Sequence, residues 1–150
     1  MAPRPFIGAA LAGAVLFACA SAPVAGAATI ESVGPRLAHP WGMDFIGTDQ
    51  VLVTVRGGGL QRVSLADGSA ADITGLPKVF ARRQGGMLDV MVDGPHVYLC
   101  YSADLGGKSS TAIDRARLEG VALVERETIF TGNDPARSGH HFGCRLQIAG

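Results

Sequence analysis

The sequence has no excess of either charge, no long apolar run, no helical period and few cysteines, and each shortage removes a class of function. Lysine plus arginine and aspartate plus glutamate stand at 13 each in 150 residues. No basic stripe is available to hold phosphates, so nucleic acid is not an expected partner. A membrane-spanning helix needs about 20 consecutive apolar residues; the best run, Ile7 to Phe17, gives way too soon to Pro23 and a Ser/Ala/Gly tail. Beyond that run no segment shows a helical period. Cysteine and carboxylate do not cluster with the adjacent pair His140-His141, and neighbouring residues make a poor two-ligand grip, so zinc is the weaker reading of that pair.

The amino terminus is the easiest part to read. Arg4 supplies a positive charge, Ile7 to Phe17 a short apolar middle, and Ala25-Gly26-Ala27 a small-residue exit. That order predicts a secretory signal peptide over residues 1–27, because only small side chains fit the peptidase at the two alanine positions. Ala28 is the neighbouring cleavage point. Leu16-Phe17-Ala18-Cys19 offers a second variant, a lipoprotein anchored through Cys19, which the bulk of Phe17 disfavours. A periplasmic or secreted product is expected either way. Removing 27 of the 150 residues, Arg4 the one charged residue among them, leaves residues 28–150: 123 residues with 12 Lys+Arg against 13 Asp+Glu, the size of one small domain without a transmembrane segment. Two cysteines remain, Cys100 and Cys144. An oxidising compartment permits a bridge between them, yet both lie in apolar or alternating runs where buried free thiols are common. Free thiols are favoured over the bridge.

Past the leader the chain is a succession of short strands. Val51 to Val55 is β-branched and apolar, bounded by Asp49 and Gly57-Gly58-Gly59; Leu60 to Leu65 runs to the turn Asp67-Gly68. Leu88 to Val92 and His96 to Tyr101 flank Asp93-Gly94-Pro95, and Ala112 to Leu118 and Leu123 to Phe130 complete the set. Turn residues every ten or so positions mark an antiparallel all-β chain rather than βαβ units. A faint repeat overlies the strands. Gly42 to Ile46, Gly86 to Val90 and Gly143 to Ile148 each open an apolar stretch with glycine, preceded by His39-Pro40-Trp41, Arg83-Gln84-Gly85 and His140-His141-Phe142. Repeats of about 40 to 50 residues with four strands each point to propeller blades. A two-sheet sandwich has the same strand count, but the repeat favours the propeller. In a propeller the first strand of each blade lines the central channel, so residues near 39, 84 and 141 would converge at one channel mouth.

His140-His141, between Gly139 and Gly143, is the sharpest chemical feature. A histidine titrates near neutrality and can serve as a general base, although an arbitrary pair is more often a turn without a role. Here the surrounding string adds weight. Ser138 to Leu146 (SGHHFGCRL) resembles the motif of the soluble sugar dehydrogenases that depend on pyrroloquinoline quinone, the glucose/sorbosone and aldose sugar dehydrogenase family. His39 to Phe45 (HPWGMDF) is similar to that family's first-blade opening, Val79 to Val90 (VFARRQGGMLDV) to its second, and Tyr98 to Ser102 to the strand after it. The likeness covers nearly all of residues 30 to 148.

The resemblance implies a partial six-bladed β-propeller: about two blades plus the first strand of a third, after the signal peptide. It implies oxidation of an aldose at its anomeric carbon to a lactone, with His141 as the general base and Gln84 and His140 contacting the sugar. Pyrroloquinoline quinone and calcium are the implied cofactors, and an external electron acceptor the implied partner. A neutral amide such as Gln84 can donate and accept at once, which suits sugar hydroxyls. His39 and Trp41 are read as structural. Departures are visible too: Cys144 stands where the family usually has a smaller residue, and the main quinone and calcium ligands belong to later blades, leaving none expected within residues 28–150. The expectation is therefore the N-terminal part of a periplasmic aldose dehydrogenase, inactive and marginally folded in isolation because blades bury their faces on neighbours. A non-catalytic carbohydrate- or protein-binding module and an inert remnant are the alternatives.

Overall fold

Runs of β-branched and apolar residues, cut by glycine-bearing turns, fold into two successive four-stranded antiparallel sheets. The structure is a computed structural model that describes residues 28–149; the expected signal segment, with Cys19, lies outside the described residues. Residues 28–31 carry no strand, and all strands lie in the body from Ser32 onward. The first sheet contains β1 (Pro40–Ile46), β2 (Gln50–Val55), β3 (Gly59–Ser64) and β4 (Ala70–Asp72). The second contains β5 (Met87–Asp93), β6 (His96–Asp104), β7 (Ser109–Glu119) and β8 (Ala122–Thr131). Each sheet is a meander in which every strand pairs with its sequence neighbour. Two such meanders in tandem are propeller blades, as the strand spacing predicts.

The turns explain the meander. Gly94-Pro95 reverses the chain between the paired residues Asp93 and His96, and Gly120-Val121 does so between Glu119 and Ala122. In the β3–β4 turn the Asp67 carboxylate accepts the backbone N–H and the hydroxyl of Ser69, which hold its pKa down at about 2. Sequence reading misses β4 because its Ala-Ala-Asp has no apolar alternation; it is a short outer edge, held by the Gln61 amide donating to Asp72 at 2.8 Å.

Packing fixes the two blades against each other. β5 lies against β1 and β2, and one cluster, including Leu52, Leu60, Met87, Val90, Leu99 and Tyr101, spans both sheets. Each fully buried aliphatic side chain contributes roughly 1.5–3 kcal/mol of transfer free energy, so this shared core outweighs any polar tie across the boundary. The polar ties serve register. Thr54, fully buried, accepts the Gly42 N–H at 2.8 Å and donates to the Leu88 carbonyl at 2.6 Å. Asp44 accepts the Val92 N–H at 2.6 Å. β1 approaches β5 so closely that a Cβ on Gly42 would stand 2.7 Å from the Asp89 carboxylate.

Two expectations change. Cys100 and Cys144 are bonded to each other, 44 residues apart in sequence and 6.3 Å between Cα atoms. Local hydropathy could not foresee this, since what faces Cys100 in β6 is a segment from beyond the blade. The stretch after His141, expected to open a third blade as a strand, carries no ladder among the described residues. It still lies at the next blade's position, with the Leu146 N–H donating to Asp89 at 2.6 Å as Val92 donates to Asp44.

Candidate active site

Three loops that precede first strands come together at one end of the sheets, and Arg56 in the β2–β3 turn joins two of them. Its N–H donates to the His39 carbonyl at 3.1 Å, its carbonyl accepts the Met87 N–H at 3.0 Å, and its guanidinium donates to the Arg83 carbonyl. Gly86 permits this contact: at φ +147° a Cβ there would lie 2.0 Å from the Arg56 oxygen. The third loop joins through Gln84. The Gln84 N–H donates to the Gly139 carbonyl at 3.1 Å, and its side-chain oxygen accepts the His141 N–H at 2.6 Å.

Gln84 and His141, 57 residues apart, are thus in direct contact, although only His141 lines the pocket beside them. The contact differs from the expected one in kind. Gln84 spends its side-chain oxygen on the His141 backbone, so its amide nitrogen is what remains for a ligand. His39, Arg83 and His141 adopt left-handed φ values of 57°, 54° and 66°. Non-glycine residues hold such angles only where their surroundings over-determine them, and they cluster at functional sites. All three sit in the loops that meet here.

Beside the histidines is a pocket of about 260 Å³ lined by Ser109 to Thr111, Asp134, Ala136, Ser138 and His140 to Phe142. The Ser110 hydroxyl donates to the Gly132 carbonyl at 2.9 Å, and Ser109 and Ala136 exchange backbone hydrogen bonds, so the loop forming one wall is anchored to β7. The remaining lining offers hydroxyls, one carboxylate, two imidazoles and the Phe142 ring. Such a mixture of polar groups and an aromatic face suits a neutral polyol. His140 and His141 are both exposed, with ring centroids 6.4 Å apart and planes inclined by 57°, so the rings do not stack. His39 lies outside the pocket and serves through its carbonyl. Trp41, read as packing, is 48% exposed and lines a shallow depression on β1 with Met43 and Val53. Among the described residues no three His, Cys, Asp or Glu side chains gather to hold a metal ion.

Sequence reasoning missed Arg56, Asp89 and the β7 start. Only Asp89 had a local signal, a carboxylate inside the apolar run Met87 to Val90. Arg56 and Ser109 to Thr111 reach the site through pairing and loop packing that no short spacing encodes.

Residues 37–150 match the family model for glucose/sorbosone dehydrogenase. The chain belongs to that family. Aldose sugar dehydrogenase YliI of Escherichia coli is 33% identical over 131 residues, covering 81% of this chain and 35% of that protein. The crystal structure of the soluble aldose sugar dehydrogenase from Escherichia coli superposes with a TM-score of 0.72 at 32% identity, over 79% of this chain and 37% of that one. A glucose dehydrogenase crystal structure gives a TM-score of 0.67 at 34% identity, over 71% and 34%. The PQQ-bound aldose sugar dehydrogenase of Streptomyces coelicolor, 23% identical with a TM-score of 0.61, agrees in fold. The chain spans about a third of the length of these relatives. Two blades in about a third of the length is the proportion of a six-bladed ring, and the partial propeller expected from sequence stands.

Proposed function

We propose that this chain is the N-terminal part of a periplasmic aldose dehydrogenase and supplies the proton-accepting side of its site, with His141 as the general base. The observation that carries the reading is the Gln84–His141 contact beside a pocket of polar side chains and one aromatic ring. Oxidation of an aldose at its anomeric carbon removes the proton of the hydroxyl oxygen and passes the hydrogen on that carbon, as hydride, to a two-electron acceptor outside this pocket, leaving a lactone. His141 serves the proton half: a neutral imidazole accepts the hydroxyl proton, and loss of that proton eases departure of the hydride. Gln84 holds the His141 backbone, and its free amide hydrogens together with His140 orient the sugar. Ser138, whose hydroxyl accepts the His140 N–H at 3.4 Å, steadies the loop between the two histidines and the pocket wall.

The implied quinone carries carboxylates and would need cationic partners. The pocket beside His141 contains no lysine or arginine, and its one acidic side chain, Asp134, repels an anion. These residues fit a sugar and do not fit the quinone, so no step is assigned to it. The carboxylate-gripping groups, the calcium ligands and the docking point of the external electron acceptor are assigned to other blades.

A titration of the purified chain with an aldose, followed by NMR at the His140 and His141 resonances, tests the reading. The expected result is saturable perturbation of both histidines that His141→Ala abolishes at the pocket, with no dye reduction when quinone, calcium and a dye acceptor are added. Saturable perturbation that persists in His141→Ala would favour a non-catalytic carbohydrate-binding module. Absence of any perturbation at this loop would sink both readings.

A further inference from the structure

The loop bearing His141 is tied to the second blade by bonds that cross the blade boundary rather than by a strand ladder. Cys144, three residues after His141, is disulfide-bonded to Cys100 in the centre of β6. Next to it, Leu146 donates its N–H to Asp89 at 2.6 Å, and Arg145 lies 3.3 Å from the same carboxylate. On the other side of His141 stands the Gln84 contact. His141 holds a left-handed φ of 66°, a conformation that a non-glycine residue keeps only under outside constraint. Of the constraints, the disulfide alone is covalent. Its two ends sit in different settings: Cys100 is fully buried with a ladder on both sides of β6, whereas Cys144 lies outside any strand.

We propose that the Cys100–Cys144 disulfide is a positioning clamp for His141, and that opening it frees the histidine loop while the second blade stays folded. Its functional meaning rests on the reading of His141 as the proton acceptor. Opening is reduction by a dithiol: the S–S bond breaks, each sulfur takes one electron and one proton to become a thiol, and the dithiol closes to its own disulfide. Cys144 is only partly buried, which leaves a side for a small thiol to approach. The asymmetry in support decides what moves. When the bond opens, β6 keeps its two ladders, whereas the loop keeps its ties to Gln84 and Asp89 among the described residues.

Amide hydrogen exchange on the full chain, oxidised and then reduced with dithiothreitol, reads this directly. Reduction is expected to speed exchange at the His141 N–H by at least about tenfold, while buried amides of Leu99 and Ala112 in β6 and β7 stay within about twofold. Cys100→Ala/Cys144→Ala should exchange fast at His141 with or without reductant, and re-oxidation of the reduced native chain should restore protection. Unchanged exchange at His141 on reduction would overturn the clamp. So would a rise shared equally by Leu99 and Ala112, which would make the bond a global staple only. An aldose titration on the oxidised and reduced chain separates this from the functional reading. A redox-dependent His141 amide with no sugar response in either state supports the clamp and counts against the base.

Discussion

The boundary between the two blades and the boundary after the second blade are built on one plan and sealed by different means. In both, an aspartate in the first strand accepts a backbone N–H from the next blade position: Asp44 from Val92, Asp89 from Leu146. At the first boundary that bond sits beside a continuous apolar core and a buried threonine, and the apolar area sets the strength. At the second, the segment is mostly exposed, and a buried carboxylate, an arginine and a disulfide take the place of area. The histidine loop lies at the second boundary, so its placement depends on those bonds.

The strongest way to break the comparison is at the glycine where the first boundary meets the site. Gly86→Ala drives a Cβ onto the Arg56 oxygen at a left-handed φ. It should cost at least about 3 kcal/mol and be visible as a large drop in the urea midpoint. The two aspartates sharpen it. Asp89→Ala leaves the Leu146 N–H and Arg145 without their buried acceptor and should cost about 2–3 kcal/mol, whereas the half-buried Asp44→Ala should cost about 1 kcal/mol. Equal costs in chemical denaturation would show that the second boundary leans on its carboxylate no more than the first does.

Smaller effects are expected at Gln84. Gln84→Ala should leave the midpoint almost unchanged but lose about 1 kcal/mol locally, seen as roughly fivefold faster exchange at the His141 amide. Gln84→Glu keeps the accepting oxygen and should keep the protection. The remaining comparison is one of pH and concerns Tyr101, in the core shared by the two sheets. Burial, and after it the hydrogen bond to Asp114 at 2.9 Å, raises the Tyr101 pKa to about 12. The folded chain holds that proton longer than the unfolded chain. Its contribution is therefore complete below the unfolded pKa of about 10 and lost as pH rises through 12. The fall in melting temperature over that window should be shallower in Tyr101→Phe than in the native chain; an unchanged slope would exclude the residue as its source.

Much of the fold was legible because each strand carries its own signal. The β-branched run Val51 to Val55 and the alternation in Ala112 to Leu118 predict strands that end within a few residues of β2 and β7. β4 was not legible, since Ala70-Ala71-Asp72 owes its conformation to the edge of β3 and not to its own side chains. The same divide runs through the site. His140-His141 between glycines announces itself, whereas Gln84 reads as an exposed turn residue until the family resemblance singles it out. Which atom of Gln84 meets which atom of His141 depends on loop conformations set by Arg56, Gly86 and Gly139.

The sequence by itself determined the class of fold, the two repeats and the histidines, because turn chemistry, period-two alternation and short strings act over a few residues. Tertiary structure alone decided that Cys100 reaches Cys144, that Asp89 is the buried acceptor of the next segment, and that the Gln84 oxygen faces a backbone amide. Each of those pairs is brought together by the stacking of successive sheets. Contacts between residues 44 to 57 positions apart arise from that geometry rather than from local preference.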